Sequence, residues 1–495
     1  MYQADILEVK MKLHRILRLA RWGILLSFIS NFSHAQTPLV TSVVTTEKLP
    51  PVGKYNLLNC GFYGSPDQQS TWWACNLYPD DFPESGTPEQ MEQFHKAMIK
   101  APALWLTPLQ DNGELGRGQS VSLSLKADFN LPFSQLLTLG NDGHLLISLR
   151  STLEQVPFII LLKLPSLVKD NNNPLQEKLF YRFFDFYYSL IQTIAMREGG
   201  YTLLLHGYDS INPPQQNNQF IVVKLNNKGQ ELWRYIYPKP VSEEGVPQEQ
   251  MFLTADDKTV LFWANYNEYD YNQDNDNNDY GAVGTKLVCL DKNGQVINNN
   301  VVPGSSIDNP VALQNGEFGF TQYLYDKTID RHKPYFLRFS KNCEKISQRI
   351  LEFPIHPRHN SDFNNIKSIL LLPNGHLLIG YIQQQYVLDA EKGATDSYNS
   401  FYLAEFDDGL KVIRDIEVIG GQNPDRDYLE SITDTNGEDY IDITFALLPK
   451  RNEILVSIHN MWAGAEFASE ERAPRLLPNK YLLPKIYRVQ LPFSN

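Results

Sequence analysis

The densest cluster of potential ligating groups in the chain is NEYDYNQDNDNNDYG, Asn267 to Gly281, which holds four aspartates and five asparagines between two short apolar runs. Carboxylate oxygens of Asp274, Asp276 and Asp279 could gather a calcium ion. An EF-hand register fails, because neither Asp270 nor Asp274 as a first ligand puts Gly at the sixth position and Glu at the twelfth. Asn, Asp and Gly also tolerate turn conformations that other residues resist. The stretch therefore reads as a solvated hairpin loop, with calcium as the weaker alternative and no other cofactor implied.

Histidines offer little more. His144 and His376 occupy equivalent places in NDGHLL and PNGHLL, where other copies of the same pattern carry Tyr201, Lys258 and Glu317. A position that accepts all of these is expected to be exposed and structural. HPRHNSD sets His356, His359 and Asp362 in a Pro-containing connection, a zinc-compatible set with no helix to fix its spacing. His206 and His459 fall at strand ends that could approach a channel mouth. GxSxG, HExxH, GxxxxGK[ST] and GxGxxG motifs are absent.

These groups must be positioned by something, and the chain repeats. Each unit is an apolar strand, a turn of Asn, Asp, Gly or Lys, and a returning apolar strand; examples are NDGHLLISL, DDKTVLFWA and PNGHLLIGY. A third strand follows and ends in another Asp/Asn/Gly turn, as in FIVVKLNNKGQELW and FYLAEFDDGLKVI. The third strands close at Leu109, Leu164, Leu225, Leu290, Phe339, Phe406 and Leu491. Four antiparallel strands repeated in this way specify an all-β fold, a seven-bladed β-propeller. The blades fall near residues 50–130, 131–189, 190–240, 247–303, 308–355, 364–420 and 438–495. The seventh unit lacks a fourth strand, and the Val/Thr-rich segment 39–48 is expected to supply it and close the ring.

The N-terminus reads as a signal peptide. Lys12, Arg15, Arg18 and Arg21 precede the apolar run WGILLSFI, and Ser33 and Ala35 sit at the small-residue positions, so cleavage is expected after Ala35. Residues 36–495 then form one domain, periplasmic or secreted, with no transmembrane segment. The full chain carries a net charge of −13. Without residues 1–35 it has 39 basic against 55 acidic residues, which argues against nucleic acid or an anionic membrane as partner. Export permits disulfides. Cys60 and Cys75 flank a Gly/Ser/Pro/Asp turn and suit a cross-hairpin bridge, while the pairing of Cys289 and Cys343 is left open.

Departures from the repeat point to a binding surface. PDDFPESGTPEQMEQFHKAMIKAP, Pro79 to Pro102, interrupts the first unit with a capping box and a short helix whose one face holds Met91, Phe94 and Met98. HNMWAGAEFASEERAPRLLPNKYLLP, His459 to Pro484, interrupts the last unit and carries Met461, Trp462 and Phe467. Of the adjacent Trp72 and Trp73, strand alternation turns one inward and makes the other a contact candidate.

Runs such as NNQFIVVKLNNKGQELW and LLLPNGHLLIGYI resemble the repeats of bacterial exported β-propeller proteins, a likeness that implies fold and export rather than activity. The pattern is also similar to quinone-binding dehydrogenase propellers, in which a Gly turn leads to Trp. Only Trp233 fits, with Val296, Ile346 and Val412 near that position elsewhere, so quinone binding is not carried over. The expected function is a non-enzymatic module that holds a protein partner, an envelope component or an enzyme or toxin it inhibits. The competing readings are a hydrolase or lyase acting on glycan or ester substrates in the central channel, and a calcium-stabilised scaffold.

Overall fold

The structure, a computed structural model, describes residues 40–42, 55–67, 70–79, 89, 104–121, 136–150, 157–164, 176–180, 187–208, 219–237, 250–265, 284–304, 307–326, 331–354, 364–388, 395–419, 441–460 and 484–491. They form an all-β propeller. The first blade comprises β2 (Tyr55–Gly64), β3 (Thr71–Pro79), β4 (Leu104–Pro108) and β5 (Gln119–Val121), and the second β6 (Leu136–Leu139), β7 (His144–Arg150), β8 (Pro157–Lys163) and β9 (Gln176–Phe180). The third is β10 (Tyr187–Ala195), β11 (Tyr201–Tyr208), β12 (Gln219–Leu225) and β13 (Glu231–Ile236). The fourth is β14 (Gln250–Leu253), β15 (Thr259–Asn265), β16 (Gly284–Leu290) and β17 (Val296–Pro303). The fifth is β18 (Ile307–Ala312), β19 (Phe318–Asp326), β20 (Arg331–Phe339) and β21 (Lys345–Ile350); the sixth is β22 (Asn364–Leu371), β23 (Leu377–Leu388), β24 (Thr395–Phe406) and β25 (Val412–Ile419).

Six blades each use four strands consecutive in the chain, where a seven-bladed ring was expected with its seventh blade completed by segment 39–48. Among the described residues the last sheet has three consecutive strands, β26 (Ile441–Leu448), β27 (Glu453–Asn460) and β28 (Lys485–Gln490). The edge of β28 pairs with β1 (Val40–Ser42), in the register Val40 with Val489, Thr41 with Arg488 and Ser42 with Tyr487. An edge strand leaves a row of unpaired amide and carbonyl groups, which explains why a short strand adds there.

Turn chemistry sets the hairpins. Where third strands turn into fourth, a left-handed residue precedes a bulge, as at Gly229 (φ 74°) beside the register shift at Lys224/Leu225. Cys343 and Leu410 hold the same place at φ 63° and 61° without being glycine. Middle strands are buried on both faces and read as apolar runs, as in β16, whereas the inner β18 is largely half-buried and the outer β13 alternates half-buried with exposed residues. The reason is that each hydrophobic cluster lies between two sheets. One joins Leu261 and Val288 of the fourth blade to Phe220 and Val222 of the third; another joins Phe62, Trp73 and Leu77 of the first blade to Leu455 and Ile486 of the last sheet.

This architecture corrects the reading of the tryptophan pair. Trp72 is 3% exposed and Trp73 fully buried. They do point to opposite faces, but both faces are seams: Trp72 packs toward the second blade and Trp73 toward the last sheet. Neither is an outward contact residue.

Candidate functional site

Inner strands of successive blades touch around the axis, β2 with β26 and β6, β10 with β6 and β14, β18 with β22, and β22 with β26. Polar side chains on and beside them mostly bond across the seams. Thr444 Oγ1 accepts the Phe62 amide at 2.7 Å, and the buried Trp73 indole donates to Ser457 Oγ at 3.0 Å, both between the first blade and the last sheet. The Thr138 and Thr193 hydroxyls lie 2.5 Å apart between the second and third blades. Gln192 Oε1 accepts the Met251 amide at 2.7 Å between the third and fourth. Thr285 Oγ1 accepts the Ile307 amide at 3.0 Å, and Gln322 Nε2 donates to the Pro303 carbonyl at 3.1 Å, between the fourth and fifth. Between the fifth and sixth, Tyr323 OH accepts the Ile366 amide at 2.8 Å and Asn309 Nδ2 donates to the Ile366 carbonyl at 3.4 Å. These bonds satisfy backbone groups where neighbouring sheets converge.

Asp308 stands apart from that network. It lies on β18 just before a bulge at which Asn309 takes φ 50°. Thr321 Oγ1 donates to its carbonyl at 3.1 Å, whereas its carboxylate makes no hydrogen bond or ion pair among the described residues. Burial pushes the Asp308 carboxyl above its ordinary value. Burial, with the negative Asp308 nearby, pushes the Tyr323 phenol far up.

The hairpin turns at the opposite end form a rim of latches. Asn141 Oδ1 accepts the Asp67 amide at 3.0 Å, and Asn141 Nδ2 donates to the Arg197 carbonyl at 2.6 Å. The buried Asp257 carboxylate accepts the Arg197 and Glu198 amides at 3.1 and 3.0 Å. The variable turn position is not exposed as expected: Tyr201 is fully buried and His144, Lys258, Glu317 and His376 are half-buried, because each side chain folds back onto a nearby partner. His144 Nδ1 is 2.9 Å from Asp142, His376 Nδ1 is 2.7 Å from Glu405, and Tyr201 OH donates to the His144 carbonyl at 3.0 Å. Lys258 Nζ donates to the Lys341 carbonyl at 2.8 Å, and Glu317 accepts Arg338 Nε at 2.5 Å. In the last sheet, Glu453 accepts Arg451 Nε at 2.9 Å, while Arg488 Nη2 reaches the first blade's Gly113 carbonyl at 2.7 Å.

Trp233 shows what its lone fit to the Gly-turn pattern does. Its indole donates to the Lys292 carbonyl at 2.8 Å, and its ring covers Gly294 of the next blade. In the following blade Asn298 does the polar part of this work, donating to the Asn342 and Cys343 carbonyls at 3.2 and 3.3 Å.

Both cysteine pairs are disulfides. Cys60 and Cys75 bridge β2 to β3 as expected, and Cys289 of β16 joins Cys343 in the turn between β20 and β21. Met91, Phe94, Met98, Met461, Trp462, Phe467, Asp274, Asp276, Asp279, His356, His359 and Asp362 lie outside the described residues, as does the first-unit helix apart from Glu89. His206 and His459 lie on β11 and β27, at the ends of second strands. Among the described residues there is no group of three or more His, Cys, Asp or Glu side chains that could hold a metal ion, and no helix long and apolar enough to cross a membrane.

No family model and no curated protein matches the chain. Solved structures do. A polysaccharide lyase, an ulvan lyase bound to a glucuronate–sulfated rhamnose disaccharide unit, is 10% identical over 82% of this chain and 92% of its own, with a TM-score of 0.43. A protein of unknown function from Dyadobacter fermentans is 12% identical over 92% of this chain and 99% of its own, at 0.38. The quinone-bound aldose sugar dehydrogenase of Streptomyces coelicolor is 9% identical over 92% and 98%, at 0.34. At such identities and scores these likenesses transfer neither substrate nor cofactor.

Proposed function

We propose that this protein is an exported propeller whose ring is closed by β1, and that it holds a protein partner through the two insertions on one of its ends. The observation that carries the reading is the placement of the insertion anchors. In an antiparallel blade the connection from second to third strand leaves from the end opposite the tight turns. Residues 80–103 join β3 to β4, and residues 461–484 join β27 to β28, so both depart from that same end. Their sheets adjoin, sharing the Trp73–Ser457 and Phe62–Thr444 bonds. The two long connections are anchored at the same end of adjoining sheets, and loops on a rigid frame are where recognition concentrates. Met91, Phe94, Met98, Met461, Trp462 and Phe467 are the proposed contacts, because buried aromatic and Met anchors dominate interface energies. The binder is favoured over a channel enzyme because the described polar groups around the axis are mostly spent on seam bonds.

The test is affinity capture from an envelope fraction with four versions: the full chain, residues 80–103 replaced by a Gly/Ser linker, residues 461–484 so replaced, and both. A partner retained by the full chain and lost with either replacement supports the proposal. A partner captured equally by the double replacement overturns it.

A further inference from the structure

Three inner strands bring an uncommitted polar side chain to one height along the axis. Gln250 of β14, Asp308 of β18 and Ser368 of β22 pair with Phe262, Thr321 and Gly380. Each of those partners stands four positions beyond its turn exit, at Lys258, Glu317 and His376 respectively. Register alone therefore sets the three at one level, within three blades that follow one another in the chain. The next inner strand puts Thr444 there, opposite Ser457, but its hydroxyl already accepts the Phe62 amide. Gln250, Asp308 and Ser368 are each half-buried, and their side chains make no hydrogen bond or ion pair among the described residues. Elsewhere around the axis the polar side chains are largely tied into the seams, so this belt is surplus to the framework. A half-buried carboxylate without a partner is a cost that folding alone does not require.

We propose that Asp308, flanked by Gln250 and Ser368, anchors an alkylammonium group. An ammonium offers three N–H donors and no acceptor, and the belt offers a carboxylate, an amide carbonyl and a hydroxyl oxygen as acceptors. One negative charge matches one positive charge. A calcium ion would want six to eight oxygens with more carboxylate among them. An anion would meet Asp308 and a chain of net charge −13. Asp308 lies on β18 toward the end from which the variable connections leave, away from the turn at Gln314–Gly316. The group can therefore arrive on a free amine or on a lysine side chain. The second source rests on the partner-binding reading above; the first does not.

Calorimetric titration of the full chain with n-butylammonium chloride and with N-acetyl-lysine methylamide, using butyrate as the control, tests this. Saturable one-site binding of n-butylammonium, weakened at least tenfold in Asp308→Asn and unchanged in Asp111→Asn, supports the site. Binding of the lysine amide as well assigns it to a lysine side chain; binding of the small amine alone assigns it to a free amine. Far-UV circular dichroism establishes that Asp308→Asn is folded, and Gln250→Ala and Ser368→Ala should each weaken binding by a smaller factor. Absence of saturable binding by either probe, or equal binding by Asp308→Asn and the parent, overturns the proposal. Amine binding that survives replacement of residues 461–484 leaves the axial site standing even if the partner surface fails.

Discussion

Cys289 and Cys343 are joined across a seam, so the fourth and fifth blades are held covalently by a strand of one and a turn of the next. The two are 54 residues apart, against 15 for Cys60 and Cys75, which close a hairpin within one blade. In the chain-entropy picture the longer loop stabilises more, by about 4 kcal/mol against about 3. Denaturant unfolding should show Cys289→Ala/Cys343→Ala losing more than Cys60→Ala/Cys75→Ala. Cys343 also holds φ 63°, where glycine is at ease and alanine is not. Cys289→Ala/Cys343→Gly should therefore be milder than the double alanine variant by roughly 1 kcal/mol.

The seam between the first blade and the last sheet is predicted to depend on the Trp73–Ser457 bond. Both residues are fully buried, and the indole donates at 3.0 Å. Ser457→Ala would strand a buried donor, a loss of about 1–3 kcal/mol. Trp73→Phe removes that donor and some volume. The double variant should therefore be less damaged than the two single losses added together, with a coupling of at least about 0.5 kcal/mol by thermal unfolding.

Much of this ring is written in the turns. The Asp/Asn/Gly punctuation marks where third strands end, because a left-handed residue and a bulge are needed there, and the structure turns after Leu225, Leu290, Phe339 and Phe406 as the pattern requires. The same local logic misled at Trp72 and Trp73. Alternation assigns one side chain to each face, but only the packing of sheet on sheet makes both faces interior. Seam partners such as Gln192 with Met251, or Cys289 with Cys343, depend on which turn of the next blade docks, and no local window encodes that. Asp308 was invisible for a related reason, since its height is set by strand register and by the bulge between Asp308 and Val311.

Gly294 is predicted to be intolerant of even a methyl group. A Cβ there would fall 2.7 Å from the Trp233 ring, and the backbone already sits at φ 81°. Gly294→Ala should cost about 1–3 kcal/mol through strain and displacement of the indole from the Lys292 carbonyl. Trp233→Ala loses that bond as well. Gly294→Ala in the Trp233→Ala background should then cost less than in the parent, leaving only the backbone share, as read from denaturant midpoints.

Asp308→Asn is predicted to stabilise the protein near neutral pH. Burial raises the folded carboxyl above its unfolded value of 3.8, so the native state holds the proton more tightly than the unfolded chain does. Below the unfolded value both states are protonated and the carboxyl costs nothing. As pH rises through the folded value the proton is released into a desolvated site, stability falls, and the full penalty persists above it. The amide cannot ionise, so its advantage over the parent should be absent at the acid end, grow across that window and then level off. The neighbouring Tyr323 phenol stays neutral throughout, its own ionisation having been pushed far above this range. Melting temperatures of both proteins across that window test the sign, and a constant difference at every pH would mean the carboxylate is as well solvated folded as unfolded. Saturating n-butylammonium should narrow the gap at neutral pH, because the ammonium supplies the charge that Asp308 lacks and has no such counterpart at the amide.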